Sequence, residues 1–405
     1  MQKKFALRIF EGFSIQRWND LIRPFELVEM DAAGEKIILA YIIGKFEEAK
    51  GKFVDWKWMA YASLFDLLRK ISLSDIKAPV QQLLKKEYAS EYLRLNEWAL
   101  SQYKNVIDEN LFLEFQTYIQ YKCGEKEIPD PQKLSYRIYN AAHKFATMRE
   151  MEMLSLVNEK ERLQKIRIEL HDLLLPFMDL EGVQKLVKHE KAFEFVLKIE
   201  QLRFQTRWNQ TPRIPKTSVL GHSFFVALFT LLLSRETSIA MCEKRIVNNF
   251  FSALFHDLPE AVTRDIISPV KQATDALPDI VKKIEDEISS RELFPLMEDF
   301  FRDELLYFST NEFSNRVQIA GETKIVSFDE LNEHYNENKF NPIDGKLVRL
   351  SDHAAALMEA SSSISHGITS EHLVRGKNGM LSHYKKGEKI NGIDASNFFL
   401  ELVSE

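Results

Sequence analysis

An apolar helical pattern that runs straight into metal-type side chains is the feature that most constrains this 405-residue chain. Residues 249–272 read NFFSALFHDLPEAVTRDIISPVKQ, and Val247, Phe251, Leu254 and Leu258 recur at helical spacing. The pattern meets His256-Asp257, then Pro259, Glu260, Asp265, Pro269 and Lys271. An imidazole and a carboxylate at the end of a buried helix cost free energy unless a partner or a metal compensates them. A helix cap and a satisfied core histidine would explain a lone His-Asp pair. This pair has company.

Composition narrows the classes. Only 14 glycines and 12 prolines interrupt the chain, which predicts long helices, short connections and an all-α fold. A net charge of −6 argues against bulk binding of nucleic acid but leaves room for a local phosphate pocket. Cys123 and Cys242 form no CxxC, so neither a disulfide framework nor a thiolate zinc site is expected, in keeping with a reducing cytoplasm. The longest apolar run, residues 224–233, is too short to span a bilayer, so no membrane partner is expected. The opening MQKKFALRIF lacks the apolar core of a signal peptide.

In order, helices are expected at 36–48, 56–70 and 80–103, then two or three charged amphipathic helices over 133–205. Residues 206–221 form a proline-containing loop leading into a helix at His222. The helices that follow are interrupted by an irregular stretch at 309–344, and a Gly/Lys/Asn-rich tail at 367–394 precedes a short helix. That basic tail either covers a site or is a solvated surface. His171-Asp172 is a second His-Asp pair, but it lacks the following acidic positions and is read as structural.

Two more groups join His256-Asp257. His222, in VLGHSFFVALFTLLL, shares a helical face with Phe225, Val226, Phe229 and Leu233. Asp352, in KLVRLSDHAAALMEA, lies on a helix whose Leu347, Leu350, Ala354 and Leu357 pack inward. Two imidazoles and two carboxylates suit a hydrated divalent cation such as Mn, Co, Fe or Mg better than a closed structural zinc site. Such a set leaves positions for water and substrate, as in a metal hydrolase.

The order His…His-Asp…Asp on helices resembles the HD-domain metal-dependent phosphohydrolases. Within them, HDLPEAVTRDIISPVK is similar to a stretch of the bacterial 5′-deoxynucleotidases. Arg207-Trp208 lies 15 residues before His222 (222 − 207), the spacing of an Arg-Trp pair in that group. The resemblance covers residues 195–365. It implies metal binding by His222, His256, Asp257 and Asp352, and a catalytic acid/base at Glu260. It further implies phosphate binding by Arg207, with Asp265 facing the sugar or the bridging side and Lys271 adding charge. Trp208 falls on the substrate side, chiefly as a packing residue. For Arg207 and Lys271 the alternative is a surface salt bridge, and for Asp265 a helix cap. Gly221 departs from the pattern, since many relatives carry an acidic residue there, and this bears on substrate choice.

The first half carries a faded copy. Arg17-Trp18-Asn19 and Arg23 match Arg207-Trp208-Asn209 and Arg213 at an offset of 190 (207 − 17). At the same offset SLFDLLRKISLSDIKAPVQQ matches ALFHDLPEAVTRDIISPVKQ, with Asp66, Leu67 and Lys70 in place of His256, Asp257 and Glu260. With a three-residue shift, Gly34-Glu35 is expected in the place of Gly221-His222, and Asn140 in the segment that replaces Asp352. The expected architecture is therefore two tandem HD-like helical bundles. It divides into a metal-free degenerate domain at 1–150, a helical linker at 151–200, a catalytic domain at 201–365 and a tail at 366–405. Two such copies predict a monomer with an internal pseudo-dimer, or else a homodimer.

The expected activity is removal of phosphate from a small monoester, above all a (deoxy)nucleoside 5′-monophosphate. The alternatives are a nucleotide phosphodiesterase or triphosphohydrolase on the same scaffold, or a non-catalytic nucleotide sensor.

Overall fold

The computed structural model describes residues 1–266, 270 and 273–404. The fold is all-α, with two short antiparallel ribbons among the described residues. The chain divides into two compact units, residues 1–40 with 51–178 and residues 41–50 with 179–405. The first unit contains α1 (Lys3–Phe10), α2 (Glu29–Ala49), α3 (Trp56–Leu73), α4 (Ala78–Glu87), α5 (Ala89–Ser101), α6 (Glu109–Cys123), α7 (Asp130–Leu154) and α8 (Lys160–Leu174), with residues 41–49 of α2 grouped in the second unit. The second contains α9 (Glu181–Val187), α10 (Lys191–Phe204), α11 (Val219–Leu233), α12 (Glu243–Phe255), α13 (Glu260–Thr263), α14 (Leu277–Glu292) and α15 (Asp299–Ser309). After these come β1 (Arg316–Ile319), β2 (Glu322–Ile325), α16 (Phe328–Glu333), α17 (Gly345–Ser365), α18 (Glu371–His383), β3 (Lys389–Ile390), β4 (Ile393–Asp394) and α19 (Ala395–Val403).

Several expectations are refined. The helix expected over 80–103 is two, α4 and α5, because Tyr88 between them leaves helical geometry at φ −129° and ψ 51°. The stretch expected to be irregular contains the β1–β2 hairpin, in register Arg316↔Ile325, and the capped helix α16. Strands of four residues are too short for their alternation to register in a sequence. In the tail, α18 begins at the N-cap Ser370, and two glycines at positions 376 and 379 masked its helical character. The helices of the 151–200 stretch divide between the units, α8 with the first and α9 and α10 with the second. Among the described residues no helix is long and apolar enough to cross a membrane.

The core of the second unit is built on α11. Every one of its 15 residues is buried, so its apolar character runs all the way round rather than along one face. It packs against both α12 and α17. Phe251, Phe255 and Phe308 stack beside Tyr41, closing the far side of α12.

Helices α12 and α17 are tied at one end by a buried ion pair. Arg245 donates from Nε to Asp344 Oδ2 at 2.7 Å and from a terminal nitrogen to Oδ1 at 2.6 Å. Asn249 and Asn391 donate to the same carboxylate at 2.8 and 3.2 Å, and both Arg245 and Asp344 are fully buried. Planar bidentate pairing fixes orientation as well as distance. It sets where α17 starts and therefore where Asp352 falls. Removing one partner strands a buried charge. We expect Asp344→Asn to lower unfolding stability by about 3–5 kcal/mol. Denaturant unfolding checks this, and a loss below about 1 kcal/mol would rule out the tie as a major determinant.

The two units repeat one loop in detail. Arg17 N donates to Leu27 O at 2.8 Å and Arg207 N to Thr217 O at 2.9 Å, while Glu29 N to Ile15 O and Val219 N to Gln205 O are both 3.0 Å. Trp18 and Trp208 share the left-handed region at φ 56° and 55°, and so do Ser74 and Arg264 at 56° and 66°. All these pairs are separated by 190 residues, so no shift is needed at the start of the helix. Asp31-Ala32, rather than Gly34-Glu35, stands where the second unit has Gly221-His222. An insertion would have broken the paired hydrogen bonds.

Candidate metal centre

Three helical segments deliver the central groups. His222 sits in the first turn of α11, after the N-cap Ser218, whose side chain accepts from Gly221 N at 2.8 Å. Pro259 lies just beyond α12, whose C-cap is His256; the residue before a proline is biased away from helix. Asp352 lies on α17, where Ala354 and Ala355 are fully buried. The coordinating atoms of His222, His256 and Asp352 all lie within 4.8 Å of one another. Asp257, expected in the same set, is not in that group. Its Oδ2 lies 3.2 Å from His256 Nε2 and 3.9 Å from an Arg207 terminal nitrogen, next to the imidazole and within reach of the guanidinium.

Both imidazoles are oriented for coordination through Nε2. His256 Nδ1 lies 2.7 Å from the Ala253 carbonyl, which can only accept, so Nδ1 carries the proton. His222 Nδ1 lies 3.1 Å from Glu359 Oε1. Burial pushes the Glu359 carboxyl up, but Arg207, His222 and Arg213 hold it well below its ordinary value, so it too accepts. The His222 Nε2 that remains meets Asp352 Oδ1 at 3.1 Å. Burial and the nearby Arg207 lower the His222 pKa, yet Glu359 and Asp352 outweigh them and it ends raised. Burial likewise pushes Asp352 up, and the hydrogen bond and charge of His222, with His256 and Arg349, bring it well below the carboxylate range. The cluster is thus a set of ligand-type atoms drawn together by the contact between His222 and Asp352. A divalent cation fits the same place, because the donor types and the pinned Nδ1 atoms are those of a metal site.

Glu359 was not singled out from the sequence, yet it organises this side of the site. It is fully buried and accepts from Trp208 Nε1 at 2.8 Å, Arg207 Nε at 3.3 Å, Thr217 Oγ1 at 3.0 Å and His222. Its one sequence signal is a position seven residues after Asp352, two turns along the same face. Gln205 is a second omission. Its side chain donates to Glu260 O at 2.8 Å and accepts from Asp265 N at 3.1 Å, bracketing the loop that carries both acids. Arg349 is a third, donating to Asp352 Oδ2 at 3.2 Å across the face of Phe313.

The cluster opens on a cavity of about 820 Å³ whose walls include Arg207, Trp208, Asp257, Glu260, Asp265 and Arg349. Glu260 is buried in that wall, one helical turn past His256. Burial depresses the Arg207 pKa, but Glu359, Asp257, Asp352 and Asp265 more than compensate, so it is a permanent cation. Lys271 lies outside the described residues. His171 and Asp172 are exposed on α8 and belong to no such cluster. The basic tail covers the site: His372, Arg375 and His383 of α18 line the cavity, and a Cβ at Gly376 would come within 2.6 Å of the Trp208 ring.

Because Glu359 fixes the His222 tautomer, Glu359→Gln should weaken divalent-metal binding by roughly 10- to 100-fold with the fold retained. Titration calorimetry with Mn checks this, and unchanged affinity would show that Glu359 serves only Arg207 and Trp208.

No curated protein matches this chain significantly. Residues 199–380 match a family model described as an HD domain, a span that contains His222, His256, Asp257, Asp352, Glu359 and most of α18. Residues 199–380 are thus similar to the HD domains, and the His222, His256 and Asp352 group lies within that span.

Proposed function

We propose that the second unit is a metal-dependent phosphohydrolase that removes phosphate from a small phosphate monoester, above all a nucleoside 5′-monophosphate in the manner of the 5′-deoxynucleotidases. The observation that carries the proposal is the His222–His256–Asp352 donor cluster, opening on a cavity whose wall holds both a buried carboxylate and a half-buried guanidinium. His222, His256 and Asp352 would hold the divalent cation, Mn, Co, Mg or Fe, with Asp257 as a fourth ligand from its place beside His256. The cation supplies an acidified water and charge neutralisation for the phosphoryl group.

The chain's own residues do the rest. Arg207, clamped by Glu359, presents a guanidinium whose planar fork matches a phosphate in two places. Glu260, buried in the wall close to His256, takes the proton of the attacking water. Asp265, pinned by Gln205, faces the sugar side. Lys271 is assigned to the phosphate on its place in the motif alone. Trp208 is held edge-on by Glu359 and walls the pocket, which gives a base a flat surface.

A second reading has its own observation. Lys282, Arg349 and Arg375 also line the cavity, so a nucleoside di- or triphosphate would find further cations there.

The test is phosphate release from ribo- and deoxynucleoside mono-, di- and triphosphates by metal-stripped protein resupplied with Mn, Co or Mg. We expect metal-dependent release from monophosphates, abolished in Asp352→Ala. In Glu260→Gln, kcat should fall by about 10²- to 10⁴-fold with metal binding intact. Undiminished turnover in Glu260→Gln would remove the base assignment, and turnover without a divalent ion would remove the mechanism.

A further inference from the structure

The first unit contains a cavity of about 520 Å³ at the place that corresponds to the metal centre. Arg17, Trp18, Asp66, Lys70 and Asp75 line it, at an offset of 190 from Arg207, Trp208, His256, Glu260 and Asp265. Glu150 accepts from Trp18 Nε1 at 2.7 Å and Arg17 Nε at 3.0 Å, the same clamp that Glu359 forms. Counting seven residues back from that glutamate, His143 rather than Asn140 takes the place of Asp352. Asn140 instead donates to the Tyr136 carbonyl on its own helix. Among the described residues no group of three metal-type ligands forms here.

The chemistry of this cavity has been inverted. Seven basic and five acidic side chains line it. The Pro259-Glu260 position of the second unit is occupied by Arg69-Lys70. Asp66 carries two ammonium groups, those of Lys36 and, at 2.5 Å, of Lys122. Two lining cations have no carboxylate partner among the described residues. Arg69 is 2% exposed and meets only neutral groups, Asn96, Gln81 and Tyr92. Lys144 makes neither a hydrogen bond nor an ion pair there; burial, Lys70 and Lys85 lower its pKa. His143 is held neutral by burial and by the surrounding lysines, so it offers an N–H without adding charge. A buried cation without a carboxylate, as Arg69 is, costs free energy unless an anion joins it, and the half-buried Lys144 stands in the same lining. Ile76, Pro79, Leu170 and Leu173 supply an apolar surface in the same lining.

We propose that this cavity is a metal-independent binding site for a small organic phosphate. Its anionic group is met by Lys144, Arg69 and Lys70, and its carbon skeleton by the apolar wall. The volume lies within the range of small-molecule sites. Lysine and arginine here take over the role that a divalent cation plays in the second unit.

The experiment uses the full chain in EDTA, so that no divalent ion supports binding in the second unit. Adenosine and guanosine monophosphates, glucose 6-phosphate and inorganic phosphate are titrated by calorimetry and by thermal unfolding. We expect at least one organic phosphate to bind without metal and to raise the melting temperature, more than inorganic phosphate does. Lys144→Met should raise the melting temperature of the free protein, because it removes an unpaired ammonium, while weakening ligand binding at least about tenfold. Asp352→Ala should leave that binding unchanged. Absence of binding by every probe at millimolar concentration overturns the proposal. So does affinity unaltered in Lys144→Met, binding that requires a divalent ion, or binding lost in Asp352→Ala.

Discussion

A buried carboxylate that accepts from an arginine and a tryptophan underlies both units. Glu359 and Glu150 each hold an indole N–H and a guanidinium at hydrogen-bonding distance. Each tryptophan adopts a left-handed backbone, which costs a non-glycine residue about 1–3 kcal/mol and persists only where surroundings enforce it. The clamp supplies that enforcement, and the paired backbone bonds of the loop complete it. In the second unit the same carboxylate reaches His222, so the Arg207 guanidinium and the His222 imidazole are set by one group. A change there would move both.

The two cavities show one framework carrying opposite electrostatics. Around the metal centre the acids Asp257, Glu260, Asp265 and Asp352 suit a cation. In the first unit Leu67, Lys70 and His143 replace three of them, Ala32 replaces His222, and Asp66 is neutralised by Lys36 and Lys122. Burial pulls Lys122 down to about 8 and Lys36 to about 7 despite that carboxylate, with the neighbouring Lys70 adding to both shifts. The clamp survived while the ligands were exchanged. That pattern fits retention of the cavity for a different occupant better than simple decay, since an empty cationic pocket would be penalised.

Much was legible before any coordinates. Few glycines and prolines and a continuous helical period gave the all-α class, because backbone preference is local and additive. His222, His256 and Asp352 could be picked out because each is a polar group on an otherwise apolar helical face, where only a partner or a metal compensates burial. The repeat was visible as identical spacing. Glu359 and Gln205 were not visible, because each acts through contacts far away in sequence and carries no local signature, while Arg349, one turn before Asp352, reads like any surface cation on a helix. Helix α18 was hidden by its glycines, although Gly376 is small because the Trp208 ring lies against it.

By itself, then, the sequence determined the helical class, the repeat and the identity of the groups able to bind a metal, all properties carried by spacing along the chain. The tertiary structure alone decided which atoms meet. It left Asp257 beside His256 but outside the three-ligand group, put His143 in the place of Asp352, and laid the basic tail over the cavity. The physical reason is that hydrogen bonds to a buried carboxylate and the packing of helices distant in sequence are long-range terms. They have no period for a sequence reading to detect.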